Sequence, residues 1–507
     1  MTTPIASPED AARTVEQASL AFLHATTAED RSAAERWLLE IRRWPNPLAC
    51  CRQLLLHSTV GYAKMQALVM MRECLGAQWL ALSPADRTEL QQLLLRLLAD
   101  GSAEPYVRAV AAQNLAVHAK HDLLHAPAPA GGGPAPVASL DALLQAATQM
   151  LDEPSGTHAP AALEILHSLL CEFGAPSSGA LGGALAWSMH ARARAAFQAH
   201  HLLRVVHIGL QQLQRLHAAA PPLPPHQTRA LTLCSSLLTS ALSWDFDGVG
   251  EAAAVGDARP GLNASVVKPP PSEAGWRELL GRTDLAAAVI SMHSAHFAAA
   301  STSAGDAAEA LVHSLRQLVV MLASVSRRVF ADDAAHAAYA QTLLHCLAEL
   351  LAVAPDARAG GAEKPVRGEL AFRDGCVALQ RLVVCSGPEA LLALPSAAFD
   401  GTLRMLHAAT MHTVTAAMRP PSDDDDDDGA AALVESHDVL LEAWVSILYG
   451  TGSLRRRPPA VEEAASLVYD ACVRAKLHAS AQAAAQCAEE EVDELPTRAP
   501  HELPCSP

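Results

Sequence analysis

The chain has 507 residues, of which 50% are hydrophobic and only 4% aromatic, and its formal net charge is −17. A single hydrophobic core stops growing near about 250–300 residues, so one globule is excluded and the chain must divide into domains or stack repeats. The acidic balance argues against binding nucleic acid through its phosphates and suits partners with basic faces. Ala and Leu dominate the apolar set, while the β-branched and aromatic residues that favour strands are thin, so the expected fold is all-α.

In chain order, Met1 to Asp10 lacks a basic stretch followed by an apolar one, and no secretory signal is expected. Amphipathic helical segments follow over 30–43, 47–57, 61–79, 86–99 and 105–124, separated by short Pro, Gly, Ser or Asp breaks. In the fourth, Leu90, Leu93, Leu94, Leu97 and Leu98 share one helix face opposite Gln91, Gln92 and Arg96. Ser83-Pro84 with Asp86 supplies the start signal, and Asp100-Gly101 the stop. Pair starts near 61 and 105 give a spacing close to the roughly 40–47 residues of HEAT and armadillo repeats. An amphipathic pair cannot bury its apolar face alone, so stacked pairs are expected to build a HEAT-repeat-like α-solenoid, an α-α superhelix with a long binding surface.

Repeats are expected over 1–125, 139–246, 276–418 and 432–487. Between them, residues 126–138 and 247–275 have linker composition, and 419–431 hold the run Asp423, Asp424, Asp425, Asp426, Asp427 and Asp428. These six charges leave −11 for the rest of the chain. The run reads as a solvated, self-repelling loop, or alternatively as a latch for a basic partner. Leu343, Leu344, Leu347, Leu350 and Leu351 repeat the helical pattern, as do Leu440, Leu441, Trp444, Ile447 and Leu448. Arg455-Arg456-Arg457 reads as a basic turn, and 488–507 as an acidic tail.

The sequence offers no catalytic constellation. It has no phosphate loop, no GxSxG elbow and no Cys pair at metal-binding spacing, so neither an enzyme nor a cofactor is expected. The 11 cysteines lack regular spacing, and most sit in apolar helical stretches, which predicts reduced, buried thiols. His118, His121 and His125 fall near one helix face without further ligands, and a solvated or helix-end cluster is expected there rather than a metal site. No apolar run reaches about 18 residues, so membrane insertion is not expected.

Ordered motifs give the sequence a family resemblance. Ala33-Ala34-Glu35-Arg36-Trp37-Leu38-Leu39 leads into Pro47-Leu48-Ala49-Cys50 and Leu54-Leu55-Leu56. Then come Tyr62-Ala63-Lys64-Met65-Gln66-Ala67 and Glu73-Cys74-Leu75-Gly76-Ala77-Gln78-Trp79. This set resembles the N-terminal region of the importin-β superfamily of karyopherins. Leu242-Ser243-Trp244-Asp245-Phe246, Lys268-Pro269 with Trp276-Arg277-Glu278-Leu279-Leu280, and His437-Asp438 through Trp444 narrow the resemblance to the exportin-4 family.

The resemblance implies a nuclear export receptor that binds Ran in its GTP form together with protein cargo and meets nucleoporins in the pore, shuttling between nucleus and cytoplasm. In the family the inner helices of the first repeats meet Ran. Carried over, these are 47–57 and 86–99, with Arg52, Gln53, His57, Gln91, Gln92 and Arg96 on their polar faces. Family exportins are longer, and the ending Pro496 to Pro507 matches nothing helical, so a truncated gene model or a natural short form is expected. A HEAT-repeat scaffold for a cytosolic complex, independent of Ran, is the alternative reading.

Overall fold

The computed structural model describes residues 7–44, 47–101, 103–125, 138–174, 187–219, 223–246, 267, 269, 274–302, 305–352, 365–417, 427–452 and 458–493. Among them the protein is all-α, a HEAT-repeat-like solenoid in two compact units. One comprises Met1–Pro270 with Ser291–Leu318, the other Pro271–Ile290 with Val319–Pro507.

The first unit opens with α1 (Pro8–His24) packed on α2 (Ala28–Ile41). The sequence reading did not set α1 apart, although Ala11, Val15, Ala18 and Ser19 form a buried face along it. Its start is nevertheless encoded: Ser7 caps it by accepting from the Asp10 amide, with Pro8 in the first turn. Thr27 does the same for α2 through Asp30. The following pairs are α3 (Leu48–His57) on α4 (Gly61–Gln78) and α5 (Pro84–Ala99) on α6 (Pro105–His125). After these come α7 (Ala138–Asp152) on α8 (Ala159–Gly174). Next, α9 (Trp187–Phe197) runs through a π-helical turn at Gln198–Leu202 into α10 (Leu203–His217), which packs on α11 (Pro225–Leu242). The second members stack in one row, α4 on α6, α6 on α8 and α8 on α11. Expected leucines Leu90, Leu93, Leu94, Leu97 and Leu98 are all buried, and Ser83 caps α5 as its sequence signal predicted.

The row is tied by buried charge. Lys120 on α6 is fully buried, and its Nζ lies 2.9 Å from Glu172 Oε1 and 2.9 Å from the Glu172 carbonyl at the end of α8. Arg72 on α4 reaches the same carboxylate at 3.8 Å. Two turns earlier on α8, buried Glu164 accepts from Arg229 of α11, while Arg108 of α6 stands 3.9 Å away. Asn114, also fully buried, donates to the Leu68 carbonyl at 2.7 Å. A lysine ammonium without a counter-charge in such a place would lose its proton or unfold the row.

A second cluster surrounds Trp79, which follows α4 in a 3-10 turn (Trp79–Ala81). The His118 ring meets it edge-on at 4.9 Å, and the His121 ring stacks on it at 5.4 Å. The Arg87 guanidinium sits 4.6 Å over the indole and donates to the Trp79 carbonyl at 2.9 Å. His118 Nε2 donates to the Arg87 carbonyl at 2.9 Å. Of the expected solvated or helix-end cluster, the solvated form is corrected: His118 and His121 are 2% and 3% exposed, because α6 turns that face into the core against Trp79, while His125 ends the helix. Burial holds both rings below their usual pKa, with His121 down to about 4. No group of side chains among the described residues is arranged to hold a metal ion.

The aromatic cluster of the later pairs is built on Trp244. Its ring lies 5.8 Å from Phe197, which stacks on Phe173 at 4.5 Å, and its Nε1 donates to Gln198 at 2.9 Å. Gly174 ends α8 under this indole, where a Cβ would come within 2.9 Å of the ring.

The second unit holds α12 (Ala274–Leu280), part of α13 (Thr283–Thr302) and the end of α14 (Asp306–Ala323). It continues through α15 (Asp333–Ala352), α16 (Pro365–Ser386), a short α17 (Pro388–Leu392), α18 (Ser396–Ala417), α19 (Asp427–Gly452) and α20 (Pro459–Asp493). Gly387 takes φ 75° to let α17 start directly after α16. The pairing repeats: α15 on α16 and α18 on α19, with α16 on α19 as a row and α20 on α18. Trp444 is buried on α19 and donates to Thr410 of α18 at 3.1 Å. Gln380 and Arg373 of α16 bond Glu442 and Glu435 of α19 at 3.1 and 3.3 Å. Helix α19 begins at Asp427, inside the stretch expected as an acidic loop, and α20 runs to Asp493, into the expected tail. The expectation of buried thiols fails at Cys171, which is exposed on α8, whereas Cys50, Cys51, Cys74, Cys234, Cys346 and Cys376 are buried.

Two outcomes follow for stability. Lys120→Met leaves the Glu172 carboxylate without its close partner, and urea unfolding should show a loss of about 3–5 kcal/mol. Lys120→Met combined with Glu172→Gln should recover much of that loss. The pH dependence has a fixed sign. His121 and His190 both titrate near 4 in the folded chain because of burial, against an ordinary 6.5. The unfolded chain therefore binds more protons between these values, and the melting temperature should fall as pH drops from 6.5 to about 4, then level off for these groups. His121→Phe should flatten that slope.

Candidate interaction surface

The candidate residues lie on α3 and α5, the first members of consecutive pairs. Arg52 is half-buried on α3, with Nη2 3.0 Å from Asp86 and 3.3 Å from Glu89 on α5. The pair joins two helices of one layer. The Ser83 hydroxyl bonds the Asp86 carboxylate at 2.7 Å, and this contact, followed by Arg52, holds the Asp86 pKa below its ordinary value. Gln53 donates to Glu9 of α1 at 3.5 Å. His57, Gln92 and Arg96 are exposed, Gln91 is half-buried, and none of the four makes a side-chain hydrogen bond or ion pair among the described residues.

The six candidates therefore split. Arg52 and Gln53 are engaged with Asp86, Glu89 and Glu9, three acidic neighbours on other helices that the sequence reading did not connect with them. An exposed ion pair of this kind is worth about 0–1 kcal/mol, so an incoming group can replace it at little cost. His57, Gln92 and Arg96 stand open to solvent. Beside them Leu56 is 56% exposed although Leu54 and Leu55 are buried. The run Leu54-Leu55-Leu56 hides that difference, since only the helical register separates the core pair from the surface leucine.

The acidic run supplies no described surface. Asp423 to Asp426 lie outside the described residues, and Asp427 and Asp428 open α19. Arg455, Arg456 and Arg457 also lie outside them. No helix among the described residues is long and apolar enough to cross a membrane.

Four tryptophans of the motifs behind the family resemblance sit in the core, while Trp37, Leu39 and Leu56 of the same motifs are exposed. Trp79, Trp244, Trp276 and Trp444 are 2%, 4%, 0% and 3% exposed. A family description for Exportin-4 matches residues 7–455. Among solved structures, importin beta crystallised in an ammonium sulfate condition is similar at 12% identity and a TM-score of 0.28, covering 92% of this chain and 57% of its own. The chain thus spans little more than half the length of that importin beta. With the family match running from the first described helix through α19, the chain belongs to the exportin-4 family of karyopherin transport receptors.

Proposed function

We propose that the chain is a nuclear export receptor that binds Ran in its GTP form and protein cargo cooperatively, meets nucleoporins on its way through the pore, and shuttles between nucleus and cytoplasm. The observation that carries this reading is the family match over residues 7–455. The local geometry fits it. On α3 and α5, His57, Gln92 and Arg96 are open polar groups, and Arg52 is held by a pair weak enough to be exchanged. Gln53 and Gln91 add amides on the same two helices. Residues 1–125 are then the Ran-binding part of the array.

Cooperativity has a physical origin in such a fold. Each helix pair touches its neighbours alone, so a ligand that favours one curvature of the stack lowers the cost of a second ligand favouring the same curvature. Hydrolysis of the nucleotide removes one ligand and with it the coupling free energy, which releases cargo. The net charge of −17 favours encounter with basic surfaces.

The test is capture of Ran by the 507-residue chain, with Ran locked in its GTP or its GDP form. The expected result is capture of the GTP form alone. Arg96→Glu together with Gln92→Ala should weaken it by about tenfold, the scale of one lost charged contact, with an unchanged helical circular-dichroism signal. Equal capture of both nucleotide forms would overturn the reading in favour of a Ran-independent scaffold.

A further inference from the structure

The rings beside Trp79 lead to a group of cations at the end of α6. His121 stacks on Trp79 at 5.4 Å and on His125 at 6.1 Å, so a file of rings runs from the buried indole to half-buried His125. The half-buried Arg87 guanidinium of α5 lies over the indole at 4.6 Å. Exposed Arg192 of α9 donates to the Leu124 carbonyl, next to His125, at 2.8 Å. Burial first, then Arg87 and Arg192, hold the His125 ring below its ordinary pKa. Around His121 burial acts with His125, Lys120 and His118 in the same direction. On His118 burial also dominates, with Asp122 of α6 acting against it, while Glu172 of α8 is held by Lys120.

Neither Arg87 nor Arg192 forms an ion pair with a carboxylate among the described residues. The carbonyls ending α6 account for one N–H of Arg192 and leave the rest of its fork. Deeper in, Trp79 Nε1, Arg87 Nε and His121 Nδ1 are buried without a hydrogen-bond partner among the described residues, and Trp79 and His121 are only 2% and 3% exposed. Buried polar atoms of native proteins are nearly always paired, so these nitrogens point to an acceptor from outside the chain. The two guanidiniums and the Lys120 ammonium would repel a metal cation. The same charges attract an oxyanion, whose oxygens match the parallel N–H groups of a guanidinium.

We propose that Arg87, His121, His125 and Arg192 form an oxyanion site that takes one group of phosphate or sulfate size. Arg192 meets the ion at the surface, Arg87 and His125 flank it, and His121 closes the inner end. A dianion beside two imidazoles favours their charged forms, so binding draws protons onto His125 and His121. By linkage, affinity rises as pH falls from about 8 to about 6.

Isothermal titration of the 507-residue chain with sodium sulfate tests this, against sodium chloride at matched ionic strength. Sulfate takes up no proton near neutrality, so proton uptake on binding belongs to the protein. The expected result is binding of sulfate alone, with proton uptake and an affinity about tenfold higher near pH 6 than near pH 8. Inorganic phosphate and glycerol phosphate should both displace sulfate, and the tighter of the two tells whether the group arrives free or as an ester. Arg192→Gln should weaken sulfate binding by about tenfold. His125→Gln should do the same and reduce proton uptake, with an unchanged thermal melt in chloride. Heats in sulfate that match those in chloride overturn the proposal. So does a sulfate affinity indifferent to both substitutions, or one that is equal at the two pH values.

Discussion

Two carboxylates on α8 hold the N-terminal unit in register. Glu172 faces Lys120 of α6 and Arg72 of α4, while Glu164 faces Arg108 of α6 and Arg229 of α11. A row of helices packed through Ala and Leu alone slides easily, since small apolar side chains interdigitate at several offsets. Buried charges remove that freedom, because a shift of one turn strands an ammonium or a carboxylate in an apolar layer at a cost of several kcal/mol. The penalty falls on the wrong arrangements rather than adding greatly to the right one. For an Ala-rich solenoid that distinction matters more than total stability.

The second unit bridges its row with other polar groups. Gln380 and Arg373 of α16 meet Glu442 and Glu435 of α19, and Trp444 uses its indole N–H on Thr410. Arg373 with Glu435 is a part-exposed ion pair, Gln380 donates to a carboxylate, and bonds of this kind contribute about 1 kcal/mol each. The two units share a topology of pairs and rows, and α16 also buries the charged side chains Asp374 and Arg381.

Much of the fold was legible because period and caps agree. The leucines of α5 and its Ser83 cap were readable as sequence, as was the absence of strand patterns; the pairing was not, since the helices starting at 61 and 105 are second members of pairs that begin at Leu48 and Pro84. Helix α1 was not set apart, although its Ser7 cap and its buried face of Ala11, Val15, Ala18 and Ser19 are both encoded. Lys120 and the His118–His121 face escaped for a different reason. Their burial is decided by Glu172 and Trp79, which reach them from other helices, and polar residue types in a helix read as surface until those partners are known. For the candidate site, the polar positions on α3 and α5 were readable from helical register, but the engagement of Arg52 with Asp86 and Glu89 was not.

The residues that mark the family are the ones with the least to say about partners. Trp79, Trp244, Trp276 and Trp444 each fill a core site. An interface residue obeys a different constraint. It must remain solvated and nearly unpaired in the free protein, so that binding does not first break a strong contact. His57, Gln92 and Arg96 satisfy that condition, and Arg52 nearly does, while Lys120 and Glu164 cannot. Within the first unit, strong pairs on α4, α6, α8 and α11 keep register, and the weakly held polar groups lie on α3 and α5.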